Sequence, residues 1–119
     1  MTKDNLIATK TFNFSLQIIQ LYTFLIDNKE FVLSKQILRS GTSIGANVEE
    51  AVGAISKKEF TAKMGISLKE ARETRYWLKL LSKSQLIKKD YNNELKAIEE
   101  IINILTAIVK TSQGNIKNL

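Results

Sequence analysis

The sequence contains no cysteine, no histidine and no proline. Without cysteine the chain forms no disulfide and offers no thiolate nucleophile. Without histidine it lacks the commonest metal ligand and the usual general base near neutral pH. Most enzyme mechanisms therefore lack the side chains that they commonly use. We predict a protein that is not an enzyme and that has no metal and no cofactor.

The chain also lacks a long apolar run. No stretch of about 18 uncharged apolar residues is present, and the first ten residues carry an acid where a secretion signal would be apolar. We therefore expect a cytoplasmic protein without a membrane partner. With 119 residues, of which 44% are hydrophobic, the chain can bury a core without disulfide or metal staples, which predicts a single domain.

Four long segments show helical periodicity, and no proline interrupts them. In the last segment, apolar residues recur at alternating spacings of four and three: Tyr91, Leu95, Ile98, Ile102, Leu105 and Val109. Ser56 and Glu59 have the spacing of a capping box, in which each side chain satisfies a backbone amide of the other residue. The predicted helices cover residues 12–27, 34–54, 57–83 and 91–112, followed by a frayed tail at 115–119. Short connections between long amphipathic helices predict an all-α fold, an antiparallel up-down-up-down four-helix bundle.

Some apolar residues fall outside the stripes expected to form the core. In the fourth helix, a second row lies about 110° from the main one. It consists of Ala97, Ile101, Ile104 and Ile108. The first helix has a similar excess, and Ile66, Trp77 and Leu80 lie to one side of the third. These rows either widen the core of a monomer or face a neighbouring subunit, and we favour an oligomer because large exposed apolar patches are rare on soluble monomers.

The net charge of +6 arises in one part of the chain. Residues 57–89 contain ten Lys or Arg and three acidic residues, whereas the segments on either side are close to neutral. Helical spacing places several cations of the third helix on a stripe about 150° from its core face. The candidate nucleic-acid-binding residues are Lys57, Lys58, Lys69, Arg72, Lys79, Lys83, Lys88 and Lys89. Such a face is either a solvated surface or a site that neutralises phosphates.

Tyr76 belongs to the same stripe. A tyrosine among cations can stack on an unpaired base, although a single tyrosine on a helix surface more often packs on a neighbouring side chain. Both interpretations stay open at this point.

The remaining polar residues favour structure over chemistry. The glycines in Gly41-Thr42-Ser43-Ile44-Gly45 have the wrong spacing for a phosphate-binding loop and suit close helix packing. Glutamates on the second and third helices resemble those of a di-iron bundle, but that site also needs histidine. We predict instead a structural network in which arginines pair with glutamates. Its members are Arg39, Asn47, Glu50, Glu70, Glu73 and Arg75.

Two motifs carry a resemblance to a known family. They are QILRSGTSIGANVEEA at 36–51 and F-x-x-K-x-x-ISLKEARETRYWL at 60–78. Together they resemble the bacterial four-helix-bundle proteins encoded in intervening sequences of 23S ribosomal RNA genes, over about residues 12–111. The family motif residues that match, which we interpret as determinants of fold and assembly, are Arg39, Ser43, Asn47, Glu50, Glu70, Glu73 and Trp77.

The resemblance implies a four-helix bundle that assembles as a ring-like homopentamer without catalytic activity. It also implies kinship with the accessory protein of diversity-generating retroelements, a basic pentamer that binds nucleic acid and a reverse transcriptase. Our first hypothesis is therefore an oligomeric accessory protein that binds RNA or DNA through the basic stripe. The alternative is a protein-protein scaffold whose stripe docks an acidic partner, such as a reverse transcriptase or a ribosome-associated protein.

Overall fold

The computed structural model describes residues 2–117, with the side chain of Lys3 left out. Its four helices are α1 (Lys3–Asp27), α2 (Leu33–Val52), α3 (Lys57–Ser84) and α4 (Asn92–Lys117). Each helix packs against the next one along the chain, and α4 closes the bundle against α1. The molecule measures 51 × 25 × 22 Å, and α1 lies diagonally opposite α3. The prediction of an all-α four-helix bundle is confirmed.

The first helix begins at Lys3, nine residues before its predicted start. The hydroxyl of Thr2 caps it by accepting a hydrogen bond from the Asn5 amide at 3.2 Å. The core stripe then extends backward from Phe14 through Thr11 to Ile7, and all three residues are buried. The apolar pattern does not predict this extension because Thr11 is polar. In the structure, the Thr11 hydroxyl donates a hydrogen bond to the Ile7 carbonyl at 2.7 Å, so the hydroxyl is satisfied inside the core.

The other boundaries differ less from the prediction, except at the end of α4. This helix continues through Gly114 to Lys117, so residues 115–117 of the expected frayed tail are helical. One glycine costs a helix only about 1 kcal/mol and does not by itself end it. Residues 118 and 119 of that expected tail lie outside the described residues. In the second helix, the last residue is Val52, two positions before the predicted end.

The turn between α2 and α3 contains a modified capping box. The Ser56 hydroxyl accepts a hydrogen bond from the Glu59 amide at 3.0 Å, as predicted. The Glu59 carboxylate does not return to the Ser56 amide but accepts from the amide of Ile55, at 3.2 Å. The first bond satisfies an amide that α3 leaves without a helical partner, and the second ties the preceding turn to the start of the helix.

The second apolar row of α4 belongs to the core of the monomer. Ile101 and Ile108 are only 2% and 5% exposed, so the prediction that this row faces a neighbouring subunit is wrong. The physical reason is that a helix in a four-helix bundle has two neighbours. Ile101 lines a cleft with residues of α1, whereas Leu95 of the main row lines a groove with residues of α3.

Part of the apolar excess of α1 and α3 stays on the surface, whereas Trp77 of α3 is half-buried against the core. Phe12, Leu16 and Ile19 of α1 are exposed, as are Ile66 and Leu80 of α3. In residues 2–117, no helix carries an apolar stretch long enough to cross a membrane.

Candidate nucleic-acid interface

Two buried contacts with α2 set the orientation of α3. The Ser67 hydroxyl donates a hydrogen bond to the Ile44 carbonyl at 2.8 Å, and the Thr74 hydroxyl lies 2.9 Å from the Ser40 hydroxyl. Between these contacts, Ala71 packs in the core. Because the inner face of α3 is held in this way, the opposite face points to solvent.

The predicted stripe lies on that opposite face. Lys69, Arg72, Lys79 and Lys83 are all exposed, and Tyr76 lies among them. From Lys69 to Lys83 the row is about 20 Å long at the helical rise of 1.5 Å per residue. A shallow groove of about 500 Å³, lined partly by Lys79 and Lys83, runs between the stripe and α4.

The cations at the two ends of α3 differ in their surroundings. Lys57 and Lys58 are exposed at its start, and Lys88 is exposed in the loop that follows it. In residues 2–117, none of these three cations, and none of the four on the stripe, has a carboxylate oxygen within 4 Å. We call these seven residues the α3 cation surface.

Lys89, the eighth predicted nucleic-acid-binding residue, has a carboxylate partner and is not counted in the α3 cation surface. Its ammonium group lies 3.0 Å from the carboxylate of Glu94, a buried residue at the start of α4. The same ammonium donates to the Asp90 carbonyl at 2.9 Å and lies 5.2 Å from the centre of the Tyr91 ring. A buried carboxylate needs a partner, so the charge of Lys89 is used inside the protein.

The predicted arginine-glutamate network forms around one arginine. Arg39 of α2 contacts the carboxylates of Glu70, at 3.2 Å, and Glu73, both on α3. The Trp77 indole N–H donates to the same Glu73 carboxylate at 3.1 Å. These four side chains bridge α2 and α3 at the edge of the cation surface.

Three other predicted members of the network lie elsewhere. Arg75 pairs with Glu99 of α4 at 3.0 Å, because it lies on the side of α3 that faces α4. Glu50 pairs with Lys63 at 3.4 Å rather than with an arginine. The Asn47 amide donates to the Ser43 carbonyl of its own helix, at 2.8 Å. We find no group of three or more metal-ligating acidic side chains within the described part of the chain.

The sequence reasoning missed one ion pair that closes the bundle. Lys10 of α1 donates to the carboxylate of Glu100 on α4. This hydrogen bond, together with the charge of Lys10, lowers the pKa of Glu100. The two residues are 90 positions apart in the sequence, so the spacing of residues within one helix cannot predict this pair.

The model of the family described as "23S rRNA-intervening sequence protein" matches residues 3–107, which include all of α1, α2 and α3. The chain belongs to this family. The resemblance carried by the two motifs is therefore confirmed.

A solved structure supports the same assignment. It is a protein from Bacteroides thetaiotaomicron, described as a protein of unknown function from the S23 ribosomal protein family. That protein is 48% identical to this family member, with a TM-score of 0.87, and the match covers 92% of this chain and 99% of that chain. The comparison with curated proteins found no match.

Proposed function

We propose that this family member is a non-enzymatic, oligomeric accessory protein that binds the phosphates of RNA or DNA through the α3 cation surface. One observation carries the proposal: seven exposed cations lie on and around α3, and in the described residues none of them has a carboxylate oxygen within 4 Å. Phosphate neutralisation releases counterions and supplies most of the sequence-independent affinity for nucleic acids. An unpaired basic surface is what this mechanism requires.

The composition supports the non-enzymatic part of the proposal. The chain contains neither histidine nor cysteine, so nucleophilic and general-base roles would fall on other groups. The arginine and glutamate side chains closest to the cation surface are engaged with one another. Arg39 holds Glu70 and Glu73, and Arg75 is paired with Glu99.

The surface of α1 supports the oligomeric part. Phe12 is 65% exposed, and Leu16 and Ile19 are exposed beside it. Phe12 and Ile19 line a groove of about 490 Å³ together with residues of α2, which include Gly45, Ala46 and Glu49. Exposed apolar side chains beside a shallow groove suit self-association, and the homopentamer is the assembly that the family resemblance implies.

Oligomerisation would strengthen phosphate binding. Each subunit adds a net charge of +6, and several cation surfaces on one particle can hold one long strand. Linked binding events of this kind raise the affinity through effective concentration, without new contacts within each subunit.

A charge-matched pair of variants tests the proposal. Lys69, Lys79 and Lys83 are changed to Gln in one variant. In the control, three exposed lysines outside the surface are changed to Gln: Lys35, Lys96 and Lys110. The first variant should weaken binding to all sequences and lower the slope of log affinity against log salt by about one unit per lost contact for each subunit engaged.

The control separates a site from a bulk charge effect. Both variants lose the same net charge, so equal losses of affinity would show that the cation surface is not a site. An unchanged affinity in the first variant would contradict the proposal. Melting temperatures should barely move in either variant, because solvated lysines contribute little to stability.

The scaffold function is the second candidate, and the exposed Ile66 and Leu80 beside the stripe favour it. A surface that combines apolar side chains with cations suits an acidic protein, such as a reverse transcriptase or a ribosome-associated protein. This candidate takes precedence if a tight acidic partner is recovered after nuclease treatment and is lost in the stripe variant, while nucleic-acid binding is unchanged.

A further inference from the structure

A large aromatic ring lies in the middle of the α3 cation surface. Tyr76 is 57% exposed. Arg72 precedes it by four residues and Lys79 follows it by three, so both are its neighbours on the helix surface. The ring therefore has a cation on each side along the helix axis.

The Tyr76 ring has an aromatic neighbour on the same helix. It meets the ring of Trp77 in an edge-to-face contact, with centroids 5.3 Å apart and an interplanar angle of 68°. Such a contact restricts the orientation of the tyrosine ring but leaves much of its surface open to solvent. Tyr76 therefore does pack on a neighbouring side chain, as expected for a tyrosine on a helix surface. More than half of the residue nevertheless stays exposed to solvent.

Trp77 is itself fixed by the bridge between α2 and α3. It packs against the core, and its indole N–H donates to the Glu73 carboxylate, which Arg39 also contacts. A chain of contacts thus runs from α2 through Arg39, Glu73 and Trp77 to Tyr76. A ring that is ordered before its ligand arrives loses less entropy on binding.

We propose that Tyr76 is a stacking platform for an unpaired base, so that the α3 cation surface prefers single-stranded nucleic acid to a duplex. This inference rests on the proposed function of the surface. Single-strand binding proteins combine cations that follow the backbone with aromatic rings on which bases stack. A base in a duplex is already stacked on both faces and cannot offer one to Tyr76 without being extruded.

The first experiment compares an unstructured single strand with a duplex that has the same number of phosphates. Wild-type protein should bind the single strand more tightly. Tyr76→Ala should weaken single-strand binding about tenfold or more, the loss of one base-aromatic stack, and should leave duplex binding unchanged. Tyr76→Phe should bind like the wild type, because it keeps the aromatic face.

Two controls make the result specific. Leu80→Ala removes an exposed apolar side chain one turn from Tyr76 and should not alter single-strand affinity. The Tyr76→Ala variant should also keep the salt slope of the wild type, because it removes no phosphate contact. The lysine variant, in contrast, should lose slope on both nucleic acids.

The outcomes distinguish this inference from the function on which it rests. Single-strand affinity that is unchanged in Tyr76→Ala but lowered in the lysine variant would overturn the stacking role and leave phosphate binding standing. A loss that is equal on single strand and duplex, or equal in the Phe and Ala variants, would also overturn stacking. If neither the lysine variant nor Tyr76→Ala loses affinity, the proposed function itself fails.

A second measurement needs no substitution. Trp77 is the only tryptophan of the chain and touches the Tyr76 ring, so its fluorescence reports on what binds there. A single strand should change its emission during titration, and the duplex at the same degree of saturation should change it much less. Equal emission changes with both nucleic acids, or none with either, would contradict the proposal.

Discussion

At the scale of single residues, Glu30 has a larger structural role than its place in a loop suggests. Its carboxylate accepts hydrogen bonds from the first amides of α2, those of Val32 at 3.2 Å, Leu33 at 3.0 Å and Ser34 at 2.6 Å. The helix has no cap from the side chain of its own N-cap residue, so Glu30 replaces it from two positions earlier. The carboxylate also lies at the positive end of the helix dipole.

We predict that the Glu30 cap makes stability depend on pH. Burial, the largest single influence, raises the pKa of Glu30, but the amides of Leu33, Ser34 and Val32 together outweigh it and the net pKa is lowered. A lowered pKa in the folded state means that the stabilisation is complete above the ordinary value of 4.5 and is lost as pH falls through the folded value.

Glu30→Gln should flatten the acid limb of a plot of unfolding free energy against pH. Glu30→Ala should cost about 1–3 kcal/mol near neutral pH, because the capped amides lose a charged acceptor. Denaturant melts across the acid range measure both effects. Asp27→Asn, which removes an exposed carboxylate outside this cap, is the control. Parallel pH profiles for the wild type and Glu30→Gln would contradict the role of the cap.

Arg39 should contribute little to stability although it contacts two carboxylates. Its side chain is 49% exposed, and ion pairs in such surroundings are screened by water. We expect Arg39→Ala to cost about 1 kcal/mol or less in a denaturant melt, and Glu50→Ala likewise. A loss of several kcal/mol would instead mean that the glutamates are left unpaired in a poorly hydrated site.

At the scale of elements, Gly41 determines how closely α1 approaches α2. A Cβ atom at this position would lie 2.8 Å from Cγ2 and 2.9 Å from Cγ1 of Ile18, which is fully buried. The helix runs through Gly41 without interruption, so the glycine serves packing and not a bend. This agrees with the close packing predicted from the Gly41 to Gly45 segment.

We predict that Gly41→Ala destabilises the protein. Displacing Ile18 in a packed core should cost about 1–3 kcal/mol, which outweighs the gain of up to about 1 kcal/mol in helix propensity. Gly65→Ala is the matched control, because nothing lies within 4 Å of its added Cβ. Thermal melts should show a lower melting temperature for the first variant and an equal or higher one for the second.

The faces of the helices could be predicted from the sequence because a period of 3.6 residues places each side chain. The exposed positions of Lys69 and Lys79 and the burial of Ala71 follow from that period alone. The two apolar rows of α4 were visible too, but their partners were not. A helical wheel gives directions around one axis, and only the packed bundle shows that α1 covers Ile101.

Charge partners were harder to predict than faces. Arg39 was correctly placed near Glu70 and Glu73, because all three lie on helices that follow one another. Arg75 pairs with Glu99 instead, because it follows Glu73 by two residues, which places it about 200° further around the axis of α3, on the side that faces α4. Pairing thus depends on which neighbouring helix each side of α3 faces, and periodicity alone does not specify that.

At the scale of the whole molecule, the diagonal arrangement of α1 and α3 separates two surfaces. Both helices pack against α2 and α4, so their outward faces point away from each other. The exposed apolar residues of α1 lie on one side, and the α3 cation surface lies on the other. Self-association through α1 would therefore leave the cation surface accessible, so the two parts of the proposed function are compatible within one subunit.

The last prediction concerns assembly through α1. Light scattering should give the wild type a mass several times the 13.5 kDa of one chain. Phe12→Gln combined with Leu16→Gln should lower this mass towards that of one chain, because the change makes the exposed face polar without altering its charge. The control, Val32→Gln with Ile55→Gln, removes two apolar side chains that are even more exposed but lie outside α1, just before and just after α2, and it should leave the mass unchanged.

The same variants connect assembly with nucleic-acid binding. If several subunits hold one strand, the α1 variant should bind a long strand with a lower affinity and a smaller salt slope, although its α3 cation surface is intact. On a strand short enough for one subunit, it should bind like the wild type. A monomeric wild type would contradict the oligomer and a dimeric one would contradict the pentamer. Equal long-strand affinity in the α1 variant would show that each subunit binds alone.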